Sequence, residues 1–117
     1  MGISNTISVD EHLIAAPGEP IINITAFTAR KQASGYIGSH VSHLMGGGEP
    51  SLLLVKGRVI WRVPILLSSP QRGILGQVAT LDIDARTGQM LLPPQFITQL
   101  ENHAQALLDS SAHPTAS

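Results

Sequence analysis

Cysteine is missing altogether from this 117-residue chain. That excludes a disulfide framework, a thiolate nucleophile and any cysteine-based metal site. Aromatic residues are scarce, with one Trp, one Tyr and two Phe, so any core must be aliphatic. Excess charge is lacking too: 7 basic side chains stand against 8 acidic ones, for a net charge of -1. A nucleic-acid binder or a polybasic membrane anchor would carry a strong positive footprint, and neither is expected as a partner. No stretch reaches the roughly 18 uninterrupted apolar residues that a membrane helix needs. The first ten residues have neither the basic region nor the apolar run of a secretory signal, so a cytoplasmic location is expected. What is present is a 43% hydrophobic content drawn from Leu, Ile, Val and Ala, too much for a disordered chain. At this length one domain is the expectation.

Residues 1–24 read as an N-terminal arm: residues 3–13 have room for a short strand, Ala16-Pro-Gly-Glu-Pro20 is a breaker, and residues 21–24 are either another short extended piece or an apolar anchor on the domain. A single domain is expected over residues 25–109 and a disordered tail over 110–117, which is small, polar and proline-containing. Ala33, Tyr36, Ile37, His40, Val41, Leu44 and Met45 recur every three or four residues, the mark of one buried helical face. Thr25 or Thr28 would cap that helix, and Gly46-Gly-Gly48 would stop it. Gly35, Ser39 and Ser42 form a line of small side chains that suggests close packing against another element.

A β-rich section follows. Residues 51–55 and 58–68 read as a hairpin around Lys56-Gly57. Pro64 has no N–H to donate, so its strand should lie at an edge or carry a bulge. Residues 74–85 form a third strand, with Leu81 and Ile83 facing one way and Asp82 and Asp84 the other. Arg86-Thr-Gly88 turns into a short extended piece over residues 89–92. Pro93-Pro94 suits the first turn of a last helix, with Phe96, Ile97, Leu100, Ala104, Leu107 and Leu108 as its stripe. The expected fold is α+β: an antiparallel three- to four-stranded meander, with a helix before and a helix after packed on one face. Tyr36, Trp61 and Phe96 would meet in its core, with Phe27 nearby.

Val59-Ile-Trp-Arg-Val63, Gly76-Gln-Val78 and Asp82-Ile-Asp-Ala-Arg-Thr-Gly88 together resemble the PepSY module, over about residues 29–92. The strongest part is Asp84-Ala-Arg-Thr-Gly88, where an aspartate would stabilise a turn and a glycine take a positive φ. The resemblance implies a non-catalytic module of the kind found in protease propeptides and sensor-like proteins, where inhibition or protein binding has been proposed. It carries no catalytic residues over.

Other constellations are weighed against plainer roles. His40 and His43, three apart, are the candidate metal ligands, but the remaining ligands are missing and His40 lies on the apolar stripe. Asp82 and Asp84 share a strand face, which reads as a solvated face rather than an acid–base pair. No serine sits in a nucleophile elbow, and neither glycine cluster carries the Gly-Lys-Ser/Thr of a phosphate loop. Arg58 and Arg62 share one strand face, either guarding an edge or forming a basic rim for an acidic protein partner. Trp61 points the opposite way, as a core anchor or, if exposed, an interaction hot spot. Neither a catalytic residue nor a cofactor is expected. The leading expectation is a non-enzymatic protein-binding or regulatory domain that pairs with another protein or with itself as a homodimer, by strand addition along residues 58–68. The alternatives are a small-ligand or metal-binding domain and an antitoxin-like partner of a neighbouring gene product.

Overall fold

A computed structural model describes residues 22–112. The expectations for residues 3–13, the Ala16–Pro20 breaker and residues 113–117 of the tail lie outside them. Helix α1 spans Ala26–His40. Thr25 caps it, its hydroxyl accepting from the Thr28 N–H at 3.1 Å. Ala29, Ala33 and Ile37, one turn apart, are its buried stripe.

The helix stops at His40, short of the glycine run. The N–H groups of Val41 and Ser42 both converge on the Ile37 carbonyl, at 2.8 and 3.0 Å, and close the last turn. Met45–Gly47 is instead a short strand, β1. The glycines serve a close approach. A Cβ on Gly47 would stand 2.9 Å from Val63 Cγ1 and 3.2 Å from the Arg30 carbonyl oxygen. The expected close packing of Gly35 is not found, since nothing lies within 4 Å of where its Cβ would be.

Strand β2 is Ser51–Val55, β3 Arg58–Ser69, β4 Gly73–Asp84 and β5 Met90–Leu91. All pair antiparallel in one five-stranded sheet of order β1-β3-β4-β5, with β2 beside β1 on the same flank of β3. Lys56 and Gly57 turn β2 into β3 with positive φ values of 52° and 78°, the two-residue hairpin the sequence led us to expect.

Pro64 therefore sits in the central strand, which corrects the edge reading of residues 58–68. Its carbonyl accepts from the Gly48 N–H at 2.8 Å, so its nitrogen faces the same flank. There the ladder is interrupted: β1 ends opposite Ile65 and β2 begins opposite Arg62. The missing donor falls in the gap. On the other flank the register with β4 shifts twice, leaving Val78 and Leu75 as extra residues.

Helix α2 spans Phe96–Ala112, continuing past the Asp109 boundary read from the sequence. Both helices cover one face of the sheet. Ala29, Ala33 and Ile37 join Val63, Ile65 and Leu67 of β3, Val78, Leu81 and Ile83 of β4, and Phe96, Leu100 and Ala104 of α2 in one core. Tyr36 and Trp61 pack at its margin, whereas Phe27 is 72% exposed, with Lys31 Nζ 5.8 Å from its ring centre. The fold is α+β, as expected, with one strand more than the meander predicted. None of the described helices is long and apolar enough to cross a membrane.

Candidate functional site

Alternation along β3 sends Arg58, Ile60 and Arg62 to the face that the helices leave uncovered. In the β3–β4 register Arg62 stands opposite Asp82 and Ile60 opposite Asp84. Arg62 grips Asp82 with both prongs, Nε to Oδ1 at 2.9 Å and Nη2 to Oδ2 at 3.0 Å. Its guanidinium is held above its ordinary pKa, first by that hydrogen bond and then by the carboxylate charge. Arg58 Nε lies 3.5 Å from Asp84 Oδ2. Ile60, between the two arginines, is only 2% exposed. Both cations are thus matched on their own sheet, and the basic rim expected for an acidic partner is neutralised. A shallow groove of about 300 Å3, lined by Val55, Lys56, Arg58, Ile60, Asp82 and Leu91, runs beside them.

Asp84 also organises the turn behind β4. Its Oδ1 accepts from the N–H groups of Arg86 at 2.8 Å and Thr87 at 3.0 Å. Burial alone would push the Asp84 carboxyl up, but the Thr87 and Arg86 N–H groups and the Arg58 charge outweigh it and hold its pKa below the ordinary value. Gly88 closes the turn at φ 80°, its N–H bonded to the Asp84 carbonyl at 2.8 Å. Residues 22–24 lie across this turn, with the Asn23 and Ile24 N–H groups both bonded to the Ala85 carbonyl. Trp61 completes the junction. It faces the helices, half-buried, and its Nε1–H donates to the Ile24 carbonyl at 2.6 Å. This places Trp61 on the opposite side of the sheet from Arg58 and Arg62, as an anchor between core and arm.

The histidines do not converge. His40 ends α1, stacked on Tyr36 with ring centres 4.3 Å apart and Nδ1 at 2.9 Å from the Tyr36 carbonyl. His43 stands beyond the helix end, exposed. Among the described residues no three His, Asp or Glu side chains gather to hold a metal ion. His103 does something the sequence did not disclose. Its Nδ1–H donates to the carbonyl of Val78, the residue the bulge leaves without a ladder partner, at 2.9 Å. An open cleft of about 450 Å3 beside it, between α2 and β4, is lined by Phe96, Leu100, Gln77 and Thr80 among others.

The edges of the sheet differ more sharply than its faces. At β1 the Gly47 N–H donates to Ser34 Oγ at 2.8 Å, and its carbonyl accepts from Arg30 Nε at 3.0 Å. Side chains of α1 thus occupy that edge. Along β4 the two bulges, the Val78–His103 bond and Leu107 packed close to Gly76 spoil regular pairing. Strand β2 has no such cover: among the described residues nothing pairs with it except β3. Val55 and Arg58 flank a two-residue turn and so form a hydrogen-bonded pair. Ser51 and Leu53 then bond to β3 as well, while Leu52 and Leu54 turn their N–H and C=O groups outward. Leu54 is 54% exposed and Val55 38%. The sequence held a signal for this edge in the aliphatic run Leu52-Leu-Leu-Val55 just before Lys56. Pro64 drew the edge assignment to β3 instead. A scan against family models finds no match to this chain, and searches of curated proteins and of solved structures find none either.

Proposed function

We propose that this chain is a non-catalytic protein-binding domain that receives an extended strand along the open edge of β2. The observation that carries the reading is the contrast between edges: β1 and β4 are capped or bulged, while Leu52 and Leu54 offer outward backbone groups beside exposed aliphatic side chains. Strand addition would supply main-chain hydrogen bonds, and the adjoining groove at Val55, Ile60 and Leu91 would take an apolar side chain of the added strand. The resemblance of residues 29–92 to PepSY modules supports the same class of function. The paired state of Arg58 and Arg62 favours an uncharged, aliphatic strand over an acidic one.

Panning the protein against a displayed library of short random peptides tests this. Enriched sequences should be extended and aliphatic at alternate positions. Leu54→Pro, which deletes an N–H that β3 does not use, should lose them while keeping the native circular-dichroism spectrum. Enrichment that Leu54→Pro leaves untouched would refute the role of β2.

A further inference from the structure

The β2 edge is self-complementary in one register only, and we infer that its occupant is a second copy of this chain, paired antiparallel about a two-fold axis through Leu53. This rests on the reading of β2 as a strand-accepting edge and names the strand.

The register follows from which residues face outward. Leu52 and Leu54 present their backbone groups away from β3, whereas Ser51, Leu53 and Val55 do not. In an antiparallel pair an outward residue must oppose another outward residue. Centring on Leu52 would set Leu54 against Pro50, which has no N–H to give. A centre at Leu54 sets Leu52 against Lys56, whose φ of 52° has already left the strand. Centring on Leu53 sets Leu52 against Leu54 of the second copy and Leu54 against its Leu52. Both N–H groups and both carbonyls of each copy are then used. Leu53 meets its own counterpart at the axis, a non-hydrogen-bonded pair in which side chains approach closely.

Faces and charges agree with that register. Leu52 and Leu54 share the face the helices cover, and Ser51, Leu53 and Val55 share the other, so each residue meets one of its own face. Glu49 of one copy comes opposite Gly57 of the other, between Lys56 and Arg58. The Glu49 side chain is 85% exposed and only loosely tied to Arg30, at 4.0 Å. Lys56 makes no ion pair among the described residues. A parallel arrangement would set Glu49 against Glu49 and Lys56 against Lys56. Charge complementarity thus selects the antiparallel pair, which would join two five-stranded sheets into one.

Sedimentation equilibrium tests the inference. The wild-type chain should sediment at twice its 12.4 kDa mass. Leu54→Pro should be monomeric with an unchanged circular-dichroism spectrum. Lys56→Glu, which sets a like charge beside Glu49 of the other copy, should weaken the dimer by about tenfold. Glu49→Lys combined with Lys56→Glu should restore it. A wild-type chain that stays monomeric overturns the inference, as does a dimer that survives Leu54→Pro or a charge swap that fails to restore association. A monomeric wild type that still selects aliphatic peptides at β2 would retain the strand-accepting edge and remove only the second copy. A monomer selecting none would remove both.

Discussion

Asp84 concentrates several demands in one side chain: two backbone N–H groups, the Arg58 guanidinium and a place among buried atoms. Because its folded pKa lies below the ordinary carboxylate value, the carboxylate form stabilises the native state above that range. This contribution is lost as pH falls below it, through the folded pKa. Urea midpoints measured across the acid range should therefore drop more steeply for the wild type than for Asp84→Asn. Asparagine keeps an oxygen for the Arg86 and Thr87 N–H groups but cannot titrate. Asp84→Ala leaves both donors without their acceptor and should cost about 1–3 kcal/mol at neutral pH. Gly88 is constrained twice, by its φ of 80° and by Ile24 Cδ1, which would stand 3.1 Å from an added Cβ. Gly88→Ala should lower stability by about 1–2 kcal/mol in urea titration, from the left-handed backbone alone. This turn was legible in the sequence because all its determinants lie within five consecutive residues, Asp84-Ala-Arg-Thr-Gly88. The His103–Val78 bond was not, since it depends on a bulge that only the pairing of β3 with β4 creates.

Between elements, periodicity identified most helices and strands, but neighbours in space had to come from the structure. The stripe Phe96, Leu100, Ala104 is buried as its spacing predicts. Leu100, wholly buried, should cost about 2–5 kcal/mol when cut to alanine, read as a shift in urea midpoint. Stripe and helix length parted company at α1. Val41 and Met45 continue the apolar spacing and pack on the core, yet they do so from a turn and a strand. Pattern alone cannot separate these, because the same side chains reach the same core. The small residues of α1 were misread for a related reason: Gly35 faces open space, and the tight contact belongs to Gly47 in β1. A consequence is measurable. Gly35→Ala should stabilise the protein by about 0.5–1 kcal/mol, since alanine relieves the entropic cost of glycine in a helix and meets nothing. A fall in thermal midpoint would place Gly35 in a contact after all. Pro64 shows the limit of single-residue rules. A proline can occupy a central strand when the flanking chain leaves the ladder where its N–H would point, as residues 48–50 do here.

At the scale of the whole molecule, β2 is the longest regular edge left uncapped among the described residues, since β5 at the far end of the sheet has only two residues. Both helices lie on one face, α1 side chains cap β1, and α2 lies along the bulged edge of β4. An assembly that adds strands at β2 uses up the flat edge of each copy in the same event, because the proposed contact is isologous. The product is a closed pair, not a filament, since neither copy then presents a second regular edge of the kind β2 offers. Such closure ties folding to association, for the native edge is stabilised by its partner while the unfolded chain is not. The thermal midpoint of the wild-type protein should accordingly rise with protein concentration in calorimetric scans. That of Leu54→Pro should not change. A wild-type midpoint independent of concentration would mean that β2 stands open in the native molecule, with no second copy paired to it.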